Sequence, residues 1–172
     1  MPAETRQAAA EAVAARPFPV PITPGMIVSG FMPMRSEINP LPLMRTLAAA
    51  GAQLALPVVR KRGLPLVMRA YRFGDELASG QWGLREPKPE AREVDPDVLL
   101  VPLAAFDRRG HRIGYGAGYY DMTLARLAKI KPIVTIGLAY AIQEIAEVPI
   151  DEHDVALDLV LTERDVIDCR GV

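Results

Sequence analysis

The chain has 172 residues, half of them hydrophobic, and a formal net charge of −1 at pH 7. This length fits one folded unit, so we predict a single domain over residues 1–172. The balanced charge gives no sign of a nucleic-acid partner or an anionic membrane surface, and we expect neither. The single cysteine, Cys169, favours a reducing compartment. We find no signal peptide and no apolar run of about 18 residues, so we expect a cytoplasmic protein. We also expect it to be a monomer or a weak homodimer.

The first half of the chain carries clear helix and strand patterns. In the order helix, strand, helix, strand, strand, these elements are predicted at residues 5–16, 25–33, 39–51, 52–59 and 64–73. Pro65 places the last of these strands towards a sheet edge. Residues 74–96 are rich in proline, glycine and charge, and they carry the only tryptophan, Trp82. A loop of this length is typical of a functional or a disordered segment.

The second half of the chain alternates strands with helices. In the order strand, helix, strand, short helical turn, strand, these elements are predicted at residues 97–106, 120–130, 131–140, 141–146 and 155–163. The whole pattern predicts a three-layer α/β sandwich with a mainly parallel central sheet, Rossmann-like in its arrangement. Ligands bind beyond the carboxyl ends of the strands in such sheets. That rule indicates the loop after Phe106 as the binding region.

This loop contains the glycine-rich stretch GYGAGYYD, residues 114–121. Glycines allow backbone N–H groups to form an anion-accepting surface, and the start of the next helix adds its positive dipole end. Arg112 could add a full charge to this cradle. The spacing matches neither a dinucleotide fingerprint nor a P-loop, so a simple strand-to-helix connection with packed tyrosines stays open. Likewise, Asp121 could be only a first-turn carboxylate that the helix dipole favours.

The wider segment DVLLVPLAAFDRRGHRIGYGAGYYD, residues 97–121, resembles the signature of the 5-formyltetrahydrofolate cyclo-ligase family. The family's pattern is an apolar strand, a proline, Phe-Asp, a glycine turn, an arginine, and a glycine-rich loop that ends in Tyr-Tyr-Asp. The similarity extends over residues 25–163 and includes SGFMPMRSEINP, WGLREP and VPIDEHDVALDLVLTE. The resemblance implies an enzyme that uses ATP and Mg²⁺ to convert 5-formyltetrahydrofolate to 5,10-methenyltetrahydrofolate, with ADP and phosphate as products.

The resemblance also implies roles for particular residues. The nucleotide contacts would be Arg112, Ile113, Gly114, Tyr115, Gly116, Ala117, Gly118, Tyr119 and Tyr120, with Arg112 and Tyr120 acting in catalysis. The folate contacts would be Met32, Glu37, Trp82, Tyr115 and Tyr119, and the Mg²⁺ ligands Asp121 and Asp154. Other roles stay open for three of these residues: core packing for Met32, a loop anchor for Trp82, and a cap near Asn39 for Glu37. The basic run at residues 60–62 could receive a folate glutamate tail or be a solvated turn.

The chain departs from the family pattern in three places. Relatives typically begin with a helix rich in Lys and Arg that reaches the ATP phosphates, and we expect this chain to lack it, since its first helix carries only Arg6 and Arg16. Ala117 stands where a glycine is common, and a methyl group there requires a negative φ. Met122 stands where an arginine is common. Two alternatives therefore remain: a catalytically weakened or inactive folate-binding protein, and a protein that handles a sugar phosphate or coenzyme A.

Overall fold

The computed structural model describes residues 1–34, 36–115 and 117–171. Its helices are α1 Ala3–Ala15, α2 Leu41–Ala49 and α3 Tyr119–Ile130. Its strands are β1 Ile27–Ser29, β2 Gln53–Val58, β3 Val67–Tyr71, β4 Leu77–Ser79, β5 Arg85–Pro87, β6 Val98–Val101, β7 Ala105–Phe106, β8 Arg112–Ile113, β9 Val134–Leu138, β10 Leu159–Leu161 and β11 Val166–Asp168. None of the helices in these described stretches is long and apolar enough to cross a membrane.

Seven of the strands form one sheet in the order β11-β10-β9-β6-β1-β2-β3. The five central strands are parallel, whereas β3 and β11 pair antiparallel at the two edges. The chain moves from β1 towards β2 and later from β6 towards β9, so the strand order reverses between β1 and β6. This reversal is the switch point at which doubly wound sheets bind ligands.

The helices cover both faces of the sheet because each one buries a single apolar side. Helix α2 turns Leu43, Met44 and Leu47 to the face that it shares with α1. On the other face, α3 buries Leu124 and Leu127. The three-layer α/β arrangement with a mainly parallel sheet is thus confirmed, and β3 lies at an edge as Pro65 indicates.

Three parts of the predicted element map were wrong in detail. The apolar run at residues 97–106 is not one strand, because β6 ends before Pro102, which cannot donate to a ladder, and the chain restarts as β7. The stretch at residues 74–96 contains the β4–β5 hairpin and a 3₁₀ turn at Gln81–Gly83. The last strand of the sheet is β11, which the hydrophobic pattern did not reveal because only Ile167 among its three residues is buried.

The turn between β7 and β8 is organised around one buried carboxylate, Asp107, whose side chain is only 1% exposed. Its Oδ1 accepts hydrogen bonds from the backbone N–H groups of Arg109 at 2.9 Å and His111 at 3.3 Å. Its Oδ2 accepts from the N–H of Val148 at 2.9 Å and from Nη2 of Arg109 at 3.0 Å. Asp107 therefore ties the turn that leads into the glycine loop to the segment that follows β9.

We expect Asp107→Asn to lower the free energy of unfolding by about 1–2 kcal/mol at pH 7, because an amide cannot accept all four hydrogen bonds. Burial would raise the pKa of the Asp107 carboxyl, but its hydrogen-bond donors outweigh burial and the pKa is lowered. A lowered folded pKa means that this stability is present at neutral pH and is lost as the pH falls through that pKa. Chemical denaturation should show that the free energies of unfolding of the parent and the variant differ at pH 7 and become similar in acid. An equal difference in unfolding free energy at both pH values would contradict this role.

Candidate active site

The site is built where the two strands at the switch point end. After β1 the chain runs through residues 30–37, and after β6 it runs through residues 102–104. The β7–β8 hairpin then pairs Phe106 with Arg112 and returns the glycine loop towards the end of β6. The Tyr115 hydroxyl donates to the carbonyl oxygen of Leu103 at 2.9 Å, so the loop lies against the segment that leaves β6.

The backbone just before α3 is left-handed at two consecutive residues, Ala117 with φ 63° and Gly118 with φ 67°. The expectation that φ at Ala117 is negative was therefore wrong. These two residues lead directly into Tyr119, the first residue of α3. Gly116, which the sequence also assigns to the nucleotide, lies outside the described residues.

A methyl group at a left-handed residue is strained, so we expect Ala117→Gly to raise the free energy of unfolding by about 0.5–1 kcal/mol. Urea denaturation of the parent and the variant measures this. Ala125→Gly is the matched control, because Ala125 is exposed within α3 and glycine there should destabilise by about 1 kcal/mol. Destabilisation by both substitutions would show that residue 117 is not left-handed in solution.

Arg112 lies beneath the glycine loop with its side chain only 6% exposed. Its Nη2 is 3.6 Å from Oδ1 of Asp121, and its guanidinium carbon is 5.6 Å from the ring centroid of Tyr120. A Cβ at Gly114 would come within 2.7 Å of Nη1, so a larger residue there would displace the guanidinium. Within the described part of the chain, the buried Nε of Arg112 has no hydrogen-bond partner. The arginine thus retains a donor, and its charge is held next to the start of α3.

Tyr120 offers a buried hydroxyl without a hydrogen-bond partner among the described residues. Burial raises the pKa of its phenol, the nearby Arg112 charge lowers it, and the Glu37 charge raises it again. The net pKa lies well above the ordinary value for tyrosine, so the hydroxyl stays protonated at neutral pH and can act as a donor. A protonated phenol whose ring centroid lies 5.6 Å from the Arg112 guanidinium carbon fits contact with a group that gains negative charge.

Glu37 reaches the glycine loop from the β1 side of the crevice. Its Oε1 accepts a hydrogen bond from the N–H of Met34 at 2.6 Å, and its carboxylate lies near the Tyr115 hydroxyl, which donates its hydrogen to the Leu103 carbonyl. Burial raises the pKa of Glu37, although the Met34 hydrogen bond and the nearby Tyr115 hydroxyl oppose the shift. Burial and the Glu37 carboxylate raise the pKa of Tyr115 to about 12. The structure therefore brings together two residues that are far apart in the sequence and were both assigned to the folate.

The structure bears on the alternative roles of Glu37 and Met32 and on the surroundings of Trp82. Oδ1 of Asn39 accepts from the N–H of Leu41 at 3.0 Å, so Asn39, rather than Glu37, serves the start of α2. Met32 is half-buried and packs against the α1–α2 side of the core, as the core-packing interpretation requires. The 3₁₀ turn that carries Trp82 is bonded to the end of β2, because Gln81 Nε2 donates to the Arg60 carbonyl at 3.2 Å. The side chain of Trp82 itself lies outside the described part of the structure.

Asp121 and Asp154, the predicted Mg²⁺ ligands, lie on neighbouring segments. Oδ1 of Asp121 accepts from the N–H of Val155 at 3.2 Å, and Oδ2 of the exposed Asp154 accepts from the N–H of Asp151 at 2.9 Å. Within residues 1–34, 36–115 and 117–171, no group of three or more His, Cys, Asp or Glu side chains could hold a metal by itself. Mg²⁺ usually takes one or two carboxylates and completes its shell with water and substrate phosphates. The two aspartates therefore fit an ion that arrives with a nucleotide.

Gln143 is a site residue that the sequence analysis missed. Its Nε2 donates to the carbonyl oxygens of Leu103 at 3.0 Å and Ala104 at 3.1 Å, and its Oε1 accepts from the N–H of Tyr140 at 2.7 Å. It thus shares the Leu103 carbonyl with Tyr115 and fixes the segment that leaves β6. The sequence offered one indication of this role: Gln143 follows shortly after the strand β9, at the carboxyl edge of the sheet.

These features define a doubly wound α/β protein with a glycine-rich loop and a helix start at its switch point. The model of the 5-formyltetrahydrofolate cyclo-ligase family matches residues 1–163. The 5-formyltetrahydrofolate cyclo-ligase of Mycolicibacterium smegmatis is 38% identical over 148 residues, which are 81% of this chain and 75% of that protein. The Escherichia coli cyclo-ligase is 33% identical over 151 residues, 85% of this chain and 82% of that protein. The chain belongs to the 5-formyltetrahydrofolate cyclo-ligase family.

Solved structures agree with this assignment. The NMR structure of Aquifex aeolicus 5,10-methenyltetrahydrofolate synthetase superimposes with a TM-score of 0.76 at 29% identity, covering 98% of this chain and 84% of that chain. The corresponding protein from Mycoplasma pneumoniae gives a TM-score of 0.70 at 19% identity, covering 95% of this chain and 90% of that chain, which supports the fold. The family and the fold indicated by the sequence are both confirmed.

Proposed function

We propose that this chain is an active ligase that converts 5-formyltetrahydrofolate to 5,10-methenyltetrahydrofolate and consumes one ATP per turnover. Family membership gives the reaction, with ATP as the co-substrate. The observation that supports the site is the contact between Glu37 and Tyr115, because it joins the segment after β1 to the glycine loop across the switch point. A folate on the β1 side and a nucleotide on the loop would then meet in one crevice.

In this proposal the triphosphate lies over the glycine loop and the start of α3. The start of α3 is the positive end of the helix dipole, which favours an anion there. Arg112 supplies a buried positive charge directly below, and the left-handed backbone at Ala117 and Gly118 turns the chain into the helix. Phosphoryl transfer depends mainly on such positioning and charge neutralisation.

The folate is proposed to bind on the β1 side, where Glu37 would accept hydrogen bonds from N–H groups on the pterin edge. The exposed ring of Tyr115 offers a flat surface beside that carboxylate, since the side chain is 63% exposed although its hydroxyl is bonded to Leu103. Met34, which is 40% exposed and follows β1, adds apolar surface to the same side.

The reaction then follows from the juxtaposition of the two substrates. The formyl oxygen attacks the γ-phosphorus, the bond from that phosphorus to the bridging oxygen breaks, and ADP leaves. N10 attacks the activated formyl carbon and loses its proton, and phosphate departs with the former formyl oxygen. Arg112 would neutralise charge on the transferred group, and the Tyr120 hydroxyl would donate a hydrogen bond to it. A formamide oxygen is a poor leaving group until it is phosphorylated, which is why ATP is required.

Turnover by the purified chain tests this function. We expect ADP formation to require 5-formyltetrahydrofolate and to match, mole for mole, the absorbance of the methenyl product. Omission of either substrate is the control. If 5-formyltetrahydrofolate binds in calorimetry but no ATP is consumed, the chain is instead the inactive folate-binding protein of the same fold.

Asp121 and Asp154 are proposed to hold Mg²⁺, which would shield the phosphate charges when it is bound. We expect Asp121→Asn and Asp154→Asn each to raise the Mg²⁺ concentration for half-maximal rate about 10-fold, equivalent to about 1.4 kcal/mol. Because the two carboxylates would share one ion, the double variant should lose less than the sum of the single losses. Calorimetry of ADP with and without Mg²⁺ gives a second readout. If the Mg²⁺ concentration for half-maximal rate is unchanged and the losses of the two single variants add in the double variant, then Asp121 only stabilises the start of α3 through the helix dipole.

A further inference from the structure

A cavity of about 410 Å³ opens beside α3, apart from the crevice at the switch point. Its lining combines the start of β3, the strand-like segment at residues 93–95 and the Arg126 side chain of α3. The floor is apolar, since Leu66 and Met68 are buried there. Arg60, Arg126, Glu93 and Asp95 also line it, so the wall carries two arginines and two carboxylates. An apolar floor below arginines that can exchange their acid partners fits a ligand that has an apolar stem and ends in carboxylates.

The two arginines of the lining are held only by exposed ion pairs. Nη2 of Arg60 is 3.0 Å from Oε1 of Glu93, and Nη2 of Arg126 is 3.2 Å from Oδ1 of Asp95. Side-chain exposures of 40–53% place these pairs in the class that contributes little stability, so an incoming carboxylate can replace either acid at small cost. Together, the cavity lining and the turn beside it hold four cations against two carboxylates: Arg60, Lys61, Arg62 and Arg126 against Glu93 and Asp95.

Three hydrogen bonds connect the cavity to segments that border the proposed substrate crevice. The carbonyl of Arg60 accepts from Gln81, in the turn that carries Trp82. The N–H of Leu66 donates to Oγ1 of Thr123 at 2.9 Å, and that hydroxyl donates to the carbonyl of Tyr119 at 2.6 Å. One wall of the cavity is therefore fixed to the first turn of α3, which follows the glycine loop directly.

We propose that this cavity receives the glutamate end of the folate, with the tail carboxylates on Arg60 and Arg126 and the stem over the apolar floor. The inference rests on the proposed function, because it names the second half of the same substrate. The tail extends from the pterin side of the crevice along the Gln81 turn and the end of β2. Longer tails with additional glutamates meet Lys61 and Arg62, which follow Arg60 and are exposed.

The test compares 5-formyltetrahydrofolate with 5-formyltetrahydropteroate, which keeps the reacting atoms and lacks the glutamate. We expect Arg60→Gln and Arg126→Gln each to lower kcat/KM for the glutamylated substrate about 10-fold through KM. The same variants should change the pteroate value by less than about 2-fold, since the contact that they remove is absent there. Arg164→Gln is the matched control, because Arg164 is exposed near the opposite edge of the sheet and should affect neither substrate.

Equal losses for both substrates, or no loss for either, would overturn the assignment and leave residues 60–62 as a solvated basic turn. Calorimetric binding of the two folates to the parent and the variants gives the same comparison without turnover. If the parent binds both folates but consumes no ATP, the proposed function fails while the calorimetric comparison still decides the tail contact. High salt should weaken binding of the glutamylated folate more than that of the pteroate, because exposed charge contacts are screened.

Discussion

Arg112→Gln is expected to lower kcat about 10³-fold, which is the scale for loss of a placed charge at a transition state. The guanidinium is buried beneath the glycine loop, 3.6 Å from Asp121 and over the ring of Tyr120, so water cannot substitute for it. Its charge would stabilise the transition state, in which the γ-phosphoryl group moves from ADP to the formyl oxygen, more than it stabilises bound ATP. The loss should therefore appear in kcat with little change in KM for the folate.

Two comparisons separate this catalytic effect from a structural one. Removal of the arginine leaves Asp121 without its cation, so the variant should also lose about 1–3 kcal/mol of unfolding free energy. Arg112→Lys keeps a charge but not the planar fork, and it should recover part of the stability and only a small part of kcat. If Arg112→Gln folds with parental stability and turns over at more than about a tenth of the parental rate, Arg112 does not act on the transferred group.

The general position of the site could be predicted from the sequence because it depends on local patterns. The apolar run that gives β6 and the helical spacing after Tyr119 are both readable without tertiary contacts. In a parallel sheet the ends of such strands meet at one edge, which is enough to place the glycine loop there. Glu37 was assigned only through the family resemblance, and its contact with Tyr115 depends on the strand order, which no local pattern encodes.

Features that depend on backbone geometry or distant partners were not predictable in this way. The left-handed φ of Ala117 contradicts what its methyl group favours, and the surrounding loop determines it. Asp107 reads in the sequence as part of a charged surface turn, yet Val148 and Arg109 make it a buried acceptor. Gln143 likewise acts through carbonyls of a segment about 40 residues earlier in the chain. Such residues are found only after the fold has brought their partners together.

The environment of the Glu37 carboxylate opposes its charge. Burial raises its pKa, and the Met34 hydrogen bond and the nearby Tyr115 hydroxyl only reduce the shift. For a carboxyl whose folded pKa is raised, folding favours the protonated form, so stability is lost as the pH rises through that pKa. An ionised Glu37 at neutral pH therefore costs the fold stability, as expected of a group retained for binding.

We expect Glu37→Gln to weaken binding of 5-formyltetrahydrofolate by about 1.5–3 kcal/mol, roughly 10- to 150-fold, through loss of a charge-assisted hydrogen bond to the pterin. Binding of MgATP should change much less, because Arg112 and the start of α3 are proposed to carry it. The melting temperature at pH 7 should be equal to or higher than that of the parent, since glutamine keeps the Met34 contact without a buried charge. Titration calorimetry with 5-formyltetrahydrofolate and with MgATP measures the two affinities, and scanning calorimetry measures the melting temperature. Glu11→Gln, on the exposed side of α1, is the control.

The pH dependence gives the decisive comparison for Glu37. In the parent, folate affinity should fall as the pH drops through the raised pKa of this carboxyl, because only the ionised form accepts two pterin hydrogen bonds. Glutamine does not titrate, so this dependence should disappear in Glu37→Gln while the dependence from other groups remains. If the variant binds 5-formyltetrahydrofolate as tightly as the parent, or keeps the same fall in acid, then Glu37 does not contact the pterin. Its raised pKa would then reflect only its hydrogen-bonded position between Met34 and Tyr115.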